Sequence, residues 1–243
     1  LFWLDEGRNL IGTAEEAKVL LPRGPEWAGT LLVSDGEIRL ESGELGEVNF
    51  AGSKFPGWTI PVEGHLPLKF IIIQRETHFV VRLLDNERPE HLGFSGLDWY
   101  ASDKRFSLEA RFEPHPTPVA IPIVDVLGRV KQSVSPGFAV FDWQGQQYSL
   151  IAESENPEKY LFFNFRDATN GRLTYPAGRF LNTKGVKDGW VRLDFNRATN
   201  PMCAYTHFAT CPLPPLPNRL PFAVEAGEQY IKLKKVMERA SDG

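Results

Sequence analysis

Hydrophobic and polar residues alternate along most of this chain. In RFSLEARF, Phe106, Leu108, Ala110 and Phe112 fall on one face and Arg105, Ser107, Glu109 and Arg111 on the other. A period of two marks a half-buried strand. GTLLVSDGEIRL, LKFIIIQRETHFVVRLL and FAVFDWQGQQYSLIAE each read as two strands around a turn, at Asp35-Gly36, Gln74 to Thr77 and Gln144-Gly145. KYLFFNF and GWVRLDF add further strands. Helical signals are few. Ala14 to Val19 fits a short turn, and EAGEQYIKLKKVMERAS, from Glu225, predicts a terminal helix with acids early and Lys/Arg late. The expected fold class is all-β with a C-terminal helix.

Strand patterning stops and restarts around NERPEHLGFSG, residues 86–96, which carries proline, glycines and charge. Two β domains are expected, 1–90 and 91–243, with one continuous sandwich as the alternative. A chain of 243 residues and 42% hydrophobic content can bury one large core or two modest ones. The balance of 27 basic and 31 acidic residues, net −4, argues against non-specific nucleic-acid binding. Residues 1–92 hold 9 Lys/Arg against 15 Asp/Glu, net −6, and the remainder 18 against 16, net +2. An anionic ligand is therefore better placed in the second half. No apolar run approaches the ~20 residues of a membrane span, and no signal peptide opens the sequence. Two cysteines make no disulfide framework, so the expected location is cytoplasmic.

Residues 7–40, GRNLIGTAEEAKVLLPRGPEWAGTLLVSDGEIRL, resemble the opening of a forkhead-associated domain. The points of likeness are Ile11-Gly12, the strand Val19-Leu20-Leu21 and the hairpin at Asp35-Gly36. The resemblance implies a β-sandwich over residues 1–90. That family's phosphothreonine site rests on an arginine after Ile-Gly and a Ser-Arg-x-x-His motif, where the planar guanidinium fork grips phosphate oxygens. Here Thr13 stands at the first place and Pro25-Glu26-Trp27-Ala28 near the second. A glutamate repels phosphate, so a phosphothreonine peptide is not the expected partner. His65 and His78 form no metal pattern.

FSGLDWYASDKRFSLEARFEPHP, NFRDATNGRLTYPAGRFL and VRLDFNRATNPMCAYTHFATCPLPPLPNRLPFAVEAGEQ are similar to the family of unknown function labelled DUF1684. The resemblance covers about 150 residues, and members commonly carry a segment like residues 1–90 as well. It implies a fold and a set of positions, with no established reaction to carry over.

The residues themselves suggest where a site lies. Asp167-Ala168-Thr169-Asn170-Gly171 suits a structural turn, its short polar side chains bonding to nearby backbone N–H groups. In GWVRLDFN, Val191, Leu193 and Phe195 form a core face, with Trp190, Arg192 and Asp194 opposite. Asn196 and Asn200 bracket the exit from that strand, and Pro201 fixes the chain beyond. Cys203, Tyr205 and His207 alternate, so an extended path projects them to one side. Cys211-Pro212 and Pro214-Pro215 then stiffen the segment. Proline-locked irregular backbone on a β scaffold can hold polar groups at a site.

Three chemistries compete for these residues. Cys203 and His207 offer a nucleophile and base. Cys203, His207, Cys211 and Asp194 offer sulfur, nitrogen and oxygen ligands for zinc, but C-x3-H-x3-C is no known zinc signature. The plainest reading has the cysteines as a reduced, buried or facing pair without metal. A metal-free, cofactor-free pocket of Arg179, Asp194, Asn196, Asn200, Tyr205 and His207 fits a small polar or anionic molecule. Loss of Arg179 is expected to hurt binding more than folding. Glu225 and Glu228 are expected to cap the final helix or pair with Arg219 or Arg197. A hydrolase using the same pocket and a purely structural interaction module remain alternatives.

Overall fold

The computed structural model describes residues 1–43, 45–48, 55, 57–75, 77–92, 94 and 96–230. The protein is all-β, and its chain divides into two compact units, Leu1–Phe94 and Ser95–Gly243.

In the first unit, β1 (Phe2–Trp3), β2 (Gly7–Gly12), β3 (Val19–Leu20), β4 (Gly29–Ser34) and β5 (Glu37–Ser42) are followed by β6 (Gly46–Val48), β7 (Gly57–Ile60), β8 (Leu68–Arg75) and β9 (His78–Leu84). They form two sheets, ordered β3-β2-β4-β5 and β1-β9-β8-β7-β6. Hairpins β4–β5 and β8–β9 fall where alternation predicts them, the first turning at Asp35 and Gly36, both at positive φ. Ile11, Leu31 and Val33 of one sheet share an apolar core with Ile60, Phe70, Ile72 and Phe79 of the other. Each such side chain contributes roughly 1.5–3 kcal/mol by leaving water. The segment expected to turn at Ala14 does so, Ala17 N–H donating to Ala14 O at 3.0 Å.

The second unit is built on β10 (Ser107–Val124), β11 (Val130–Trp143), β12 (Gln146–Ala152) and β15 (Trp190–Asp194), in the order β12-β11-β10-β15. β13 (Tyr160–Phe165) and β14 (Arg179–Lys184) form a separate hairpin. Phe106, Ala110, Phe141, Leu150, Phe163, Leu193 and Phe195 close one core across both sheets. β10 runs on through four prolines. β15 pairs only with Ser107–Arg111, and Pro114, Pro116, Pro118 and Pro122 lie beyond it, on an edge where a missing N–H costs no ladder bond.

The helix expected from Glu225 does not begin there. Residues 225–230 run irregularly, because their backbone groups are taken elsewhere. Glu228 N–H donates to Ala198 O at 2.8 Å, Gln229 N–H to Asp98 O at 2.8 Å and Tyr230 N–H to Leu173 O at 3.0 Å. The remainder of that expected helix, 231–243, lies outside the described residues. No helix among the described residues is long and apolar enough to cross a membrane.

Candidate functional site

The proline-rich segment after β15 is held by buried and half-buried polar side chains. Asp194 and Asn196, both half-buried, come first. Asn196 Nδ2 donates to Asp194 Oδ1 at 3.0 Å and to Asp103 O at 2.9 Å, and its Oδ1 accepts from Asp103 N–H at 2.9 Å. This pair fixes the chain entering β10.

Arg179 is fully buried. Gly178, at φ +112, delivers it: a Cβ there would lie 2.5 Å from Pro214 Cγ and 2.7 Å from Phe165 O. Its guanidinium pairs with Asp167 at 2.8 Å, both side chains inaccessible to solvent, and donates to Val224 O at 2.8 Å and to Ala226 O. Asp167 also accepts from Thr169 N–H, Thr169 Oγ1 and Val224 N–H. The Asp-Ala-Thr-Asn-Gly segment is thus a turn whose carboxylate anchors Arg179. That guanidinium is bound into the fold, so the expectation that its loss hurts binding more than folding is revised: a bare carboxylate would be left buried.

Asn200 and Tyr205 meet: Asn200 Nδ2 lies 3.0 Å from Tyr205 Oη. The same amide donates to Glu228 Oε1 at 3.0 Å and Gln229 O at 2.9 Å, while Asn200 N–H donates to Glu228 Oε2 at 2.9 Å. Asn200 Oδ1 is buried without a hydrogen-bond partner. Glu228 is buried, and burial raises its carboxyl pKa against the opposing pull of the Asn200 donors and the Arg179 charge. Neither the helix-cap role nor the Arg197 or Arg219 pairing expected of Glu228 is its contact here. Gly227 sets its position, at φ +79 with room for no side chain: a Cβ would lie 2.6 Å from Ala198 O.

Cys203, Tyr205 and His207 do not project together from an extended segment. Pro201 starts a 3-10 turn over Met202–Ala204, which rotates these residues apart; Cys203 and Tyr205 are half-buried and His207 is exposed. Instead, Cys203 N–H meets Cys211 Sγ at 3.2 Å, and Tyr175 Oη donates to Cys203 O at 3.1 Å. Both thiols are free. The Cys211 thiol hydrogen bond, against the cost of burial and with help from Tyr175, lowers the Cys203 pKa to about 6. Cys211 is pushed up because its proton is shared with that sulfur, and burial raises Tyr175. Among the described residues, no group of three or more His, Cys, Asp or Glu side chains could hold a metal ion.

The first unit has a surface cavity of about 190 Å³ lined by Leu10, Ile11, Ala14, Glu16, Ala17, Glu26 and Trp27. Thr13 Oγ1 donates to Pro25 O at 3.3 Å, joining the two chain segments that carry the cavity residues Ala14 and Glu26.

Sequence reasoning missed Glu228 as a partner of Asn200, and missed Tyr175 and Tyr230. Glu228 follows a glycine in a segment patterned like a helix start, which masked it. Tyr175 and Tyr230 pack edge to face at 5.0 Å although 55 positions separate them in the chain, a pairing that local pattern does not encode.

Together these observations define an all-β unit whose irregular segment is fastened by a buried polar cluster. The chain belongs to the family described as "Protein of unknown function (DUF1684)", whose model matches residues 92–229. It is also similar to the uncharacterized protein from gene locus rrnAC0354 of Haloarcula marismortui, solved by solution NMR. Identity is 33%, the match covers 58% of this chain and 80% of that one, and the TM-score is 0.49. A search of the curated proteins returns no match.

Proposed function

We propose that the second unit binds a small polar molecule at the cluster of Asn200, Tyr205 and Glu228. One observation carries this reading: Asn200 Oδ1 is buried and unpartnered beside a buried carboxylate. An unsatisfied buried acceptor costs about 1–3 kcal/mol, which a donor from a ligand recovers. Because the unpartnered atom and the carboxylate beside it are acceptors, the ligand class is one rich in O–H or N–H donors. This favours a neutral polar molecule over an anionic one. Arg179 serves this site by fixing Val224 and Ala226, just ahead of Glu228, rather than by touching the ligand. Asp194 and Asn196 brace the approach, and His207 lies exposed on the same segment.

A hydrolase using the same residues is the second reading. The raised carboxyl of Glu228 favours it, since such a group can act as a general acid nearer neutrality. The net charge of −4 supports a protein that engages no nucleic acid, and the Glu16 and Glu26 carboxylates support one that takes no phosphothreonine peptide. Two cysteines in 243 residues make no disulfide framework, which favours a reducing compartment, the cytoplasm.

An NMR titration of 15N-labelled protein with polyols, amides and primary amines tests the binding reading. Saturable shifts of the Asn200 side-chain amide and of the neighbouring Glu228 and Gln229 backbone N–H groups are expected, and those of the backbone groups should be lost in Asn200→Ala. Scattered or non-saturable responses would leave a structural module as the answer, and turnover of the bound compound would favour the hydrolase.

A further inference from the structure

We propose that Cys203 and Cys211 form a reversible two-electron redox pair that reacts with peroxides, with Cys203 as the attacking thiol and Cys211 as the resolving thiol. The proposal is independent of what the Asn200 cluster binds. It rests first on contact. Cys211 Sγ lies 3.2 Å from the Cys203 amide nitrogen, which leaves it within reach of Cys203 Sγ, one side chain away. The contact joins positions 203 and 211 across an irregular loop, where nothing in a strand ladder forces them together.

It rests next on how firmly the flanks are set. Pro201 and the 3-10 turn Met202–Ala204 fix the Cys203 side, and Tyr175 Oη holds its carbonyl at 3.1 Å. On the other side, Val126 N–H donates to Cys211 O at 3.0 Å and Leu213 N–H to Val124 O at 2.7 Å, so the end of the β10–β11 hairpin grips the chain at Cys211 and just beyond it. A bond between the sulfurs needs side-chain rotation rather than rebuilding of the loop.

Accessibility assigns the roles. Cys203 is half-exposed, whereas Cys211 is buried. A peroxide from solvent reaches Cys203 first. The low pKa of that thiol supplies the thiolate that such chemistry requires.

The steps balance. The Cys203 thiolate attacks one peroxide oxygen, an S–O bond forms, the O–O bond breaks, and hydroxide leaves to become water. Sulfur has lost two electrons and the peroxide has gained them. Cys211 sulfur then attacks the sulfenic acid, the S–S bond forms, the S–O bond breaks, and a second water leaves with the Cys211 proton. An external dithiol reverses the change by exchange, becoming a disulfide itself.

The test uses reduced, full-length protein treated with hydrogen peroxide and followed by intact mass and peptide mapping. The wild type should lose about 2 Da, the two thiol hydrogens, form no intermolecular disulfide, and recover with dithiothreitol. Cys211→Ser should accumulate a sulfenic acid at Cys203 that dimedone traps. Cys203→Ser should leave Cys211 unreacted, or slow its oxidation at least about tenfold. If either serine variant fails to fold, the mapped Cys203–Cys211 cross-link in the wild type still decides the question. Wild type that keeps both thiols, that forms only intermolecular disulfides, or whose Cys203→Ser variant reacts as fast as Cys211→Ser overturns the proposal.

Discussion

The two units bury polar groups in different ways. In the first, the buried polar side chains among the described residues are Asn9 and Thr30, and Asn9 finds its partners locally, on Asp5 and Gly7. Its core is otherwise apolar and lies between two sheets. In the second, Asn164, Asp167, Thr169, Thr174, Arg179, Asn200, Asn218 and Glu228 are all buried, and several bond across long stretches of chain. Asn218 alone ties Ile151 N–H, Ile151 O and Asn164 O. Where strands pair, the ladder satisfies the backbone and burial can be apolar. Where prolines remove N–H donors and ladders stop, side chains must supply the missing bonds. The second unit therefore carries polar groups inside because its backbone is irregular, and some of their atoms, Asn164 Oδ1, Arg179 Nε and Asn200 Oδ1 among them, remain unpartnered.

This contrast breaks most severely at Arg179. Arg179→Met leaves the Asp167 carboxylate buried without its cation, and should cost about 3–5 kcal/mol. The melting transition of the second unit should drop or vanish while that of the first stays in place. Arg23→Met removes the partly exposed cation that grips Asp85 and Glu87 in the first unit. It should shift melting less, since water still reaches Arg23 and Glu87 whereas Arg179 and Asp167 are sealed from it. Equal losses from both variants would contradict the contrast.

A smaller effect is expected at Gly227. Gly227→Ala places a methyl 2.6 Å from Ala198 O and 2.7 Å from Phe195 O at a positive φ. Strain of about 1–3 kcal/mol should follow. Hydrogen exchange at the Asn200 backbone N–H, which Glu228 holds, should rise along with it. An alanine variant with parental stability and protection would show that Glu228 does not depend on this turn.

Much of the fold was legible because alternation has a direct physical cause: one face of each strand meets the core. Phe106, Leu108, Ala110 and Phe112 do pack on one core, and Val191, Leu193 and Phe195 do turn inward against exposed Trp190 and Arg192. The last segment was not legible in this way. Residues 225–230 have a helix-start composition but are drawn into bridges with Trp99, Ala198 and Asp98, contacts that local propensity does not register. The reach of β10 through its prolines was hidden too, because edge placement depends on where β15 ends. At the candidate site, the sequence singled out the loop after β15, yet the Asn200–Glu228 pairing rests on a tertiary contact across 28 positions.

The smallest expected effect concerns pH. Burial raises the Glu228 pKa above its ordinary value of 4.5. Its favourable contribution is therefore complete below that value and declines as pH rises through the folded-state pKa. Glu228→Gln does not titrate. The stability difference should favour wild type most at acid pH and move toward the glutamine variant as pH increases. A flat difference, or one growing with pH, would show that the Asn200 donors outweigh burial.

The central claim is that the buried polar cluster of the second unit is a binding site as well as a fastening. The most direct measurement is a high-resolution crystal structure of protein soaked with the polar compounds that shift the Asn200 amide. The account predicts a ligand O–H or N–H donor about 2.7–3.2 Å from Asn200 Oδ1, with Glu228 as its second acceptor. A sealed, dry void at that oxygen, or a single ordered water retained under every compound, would contradict it.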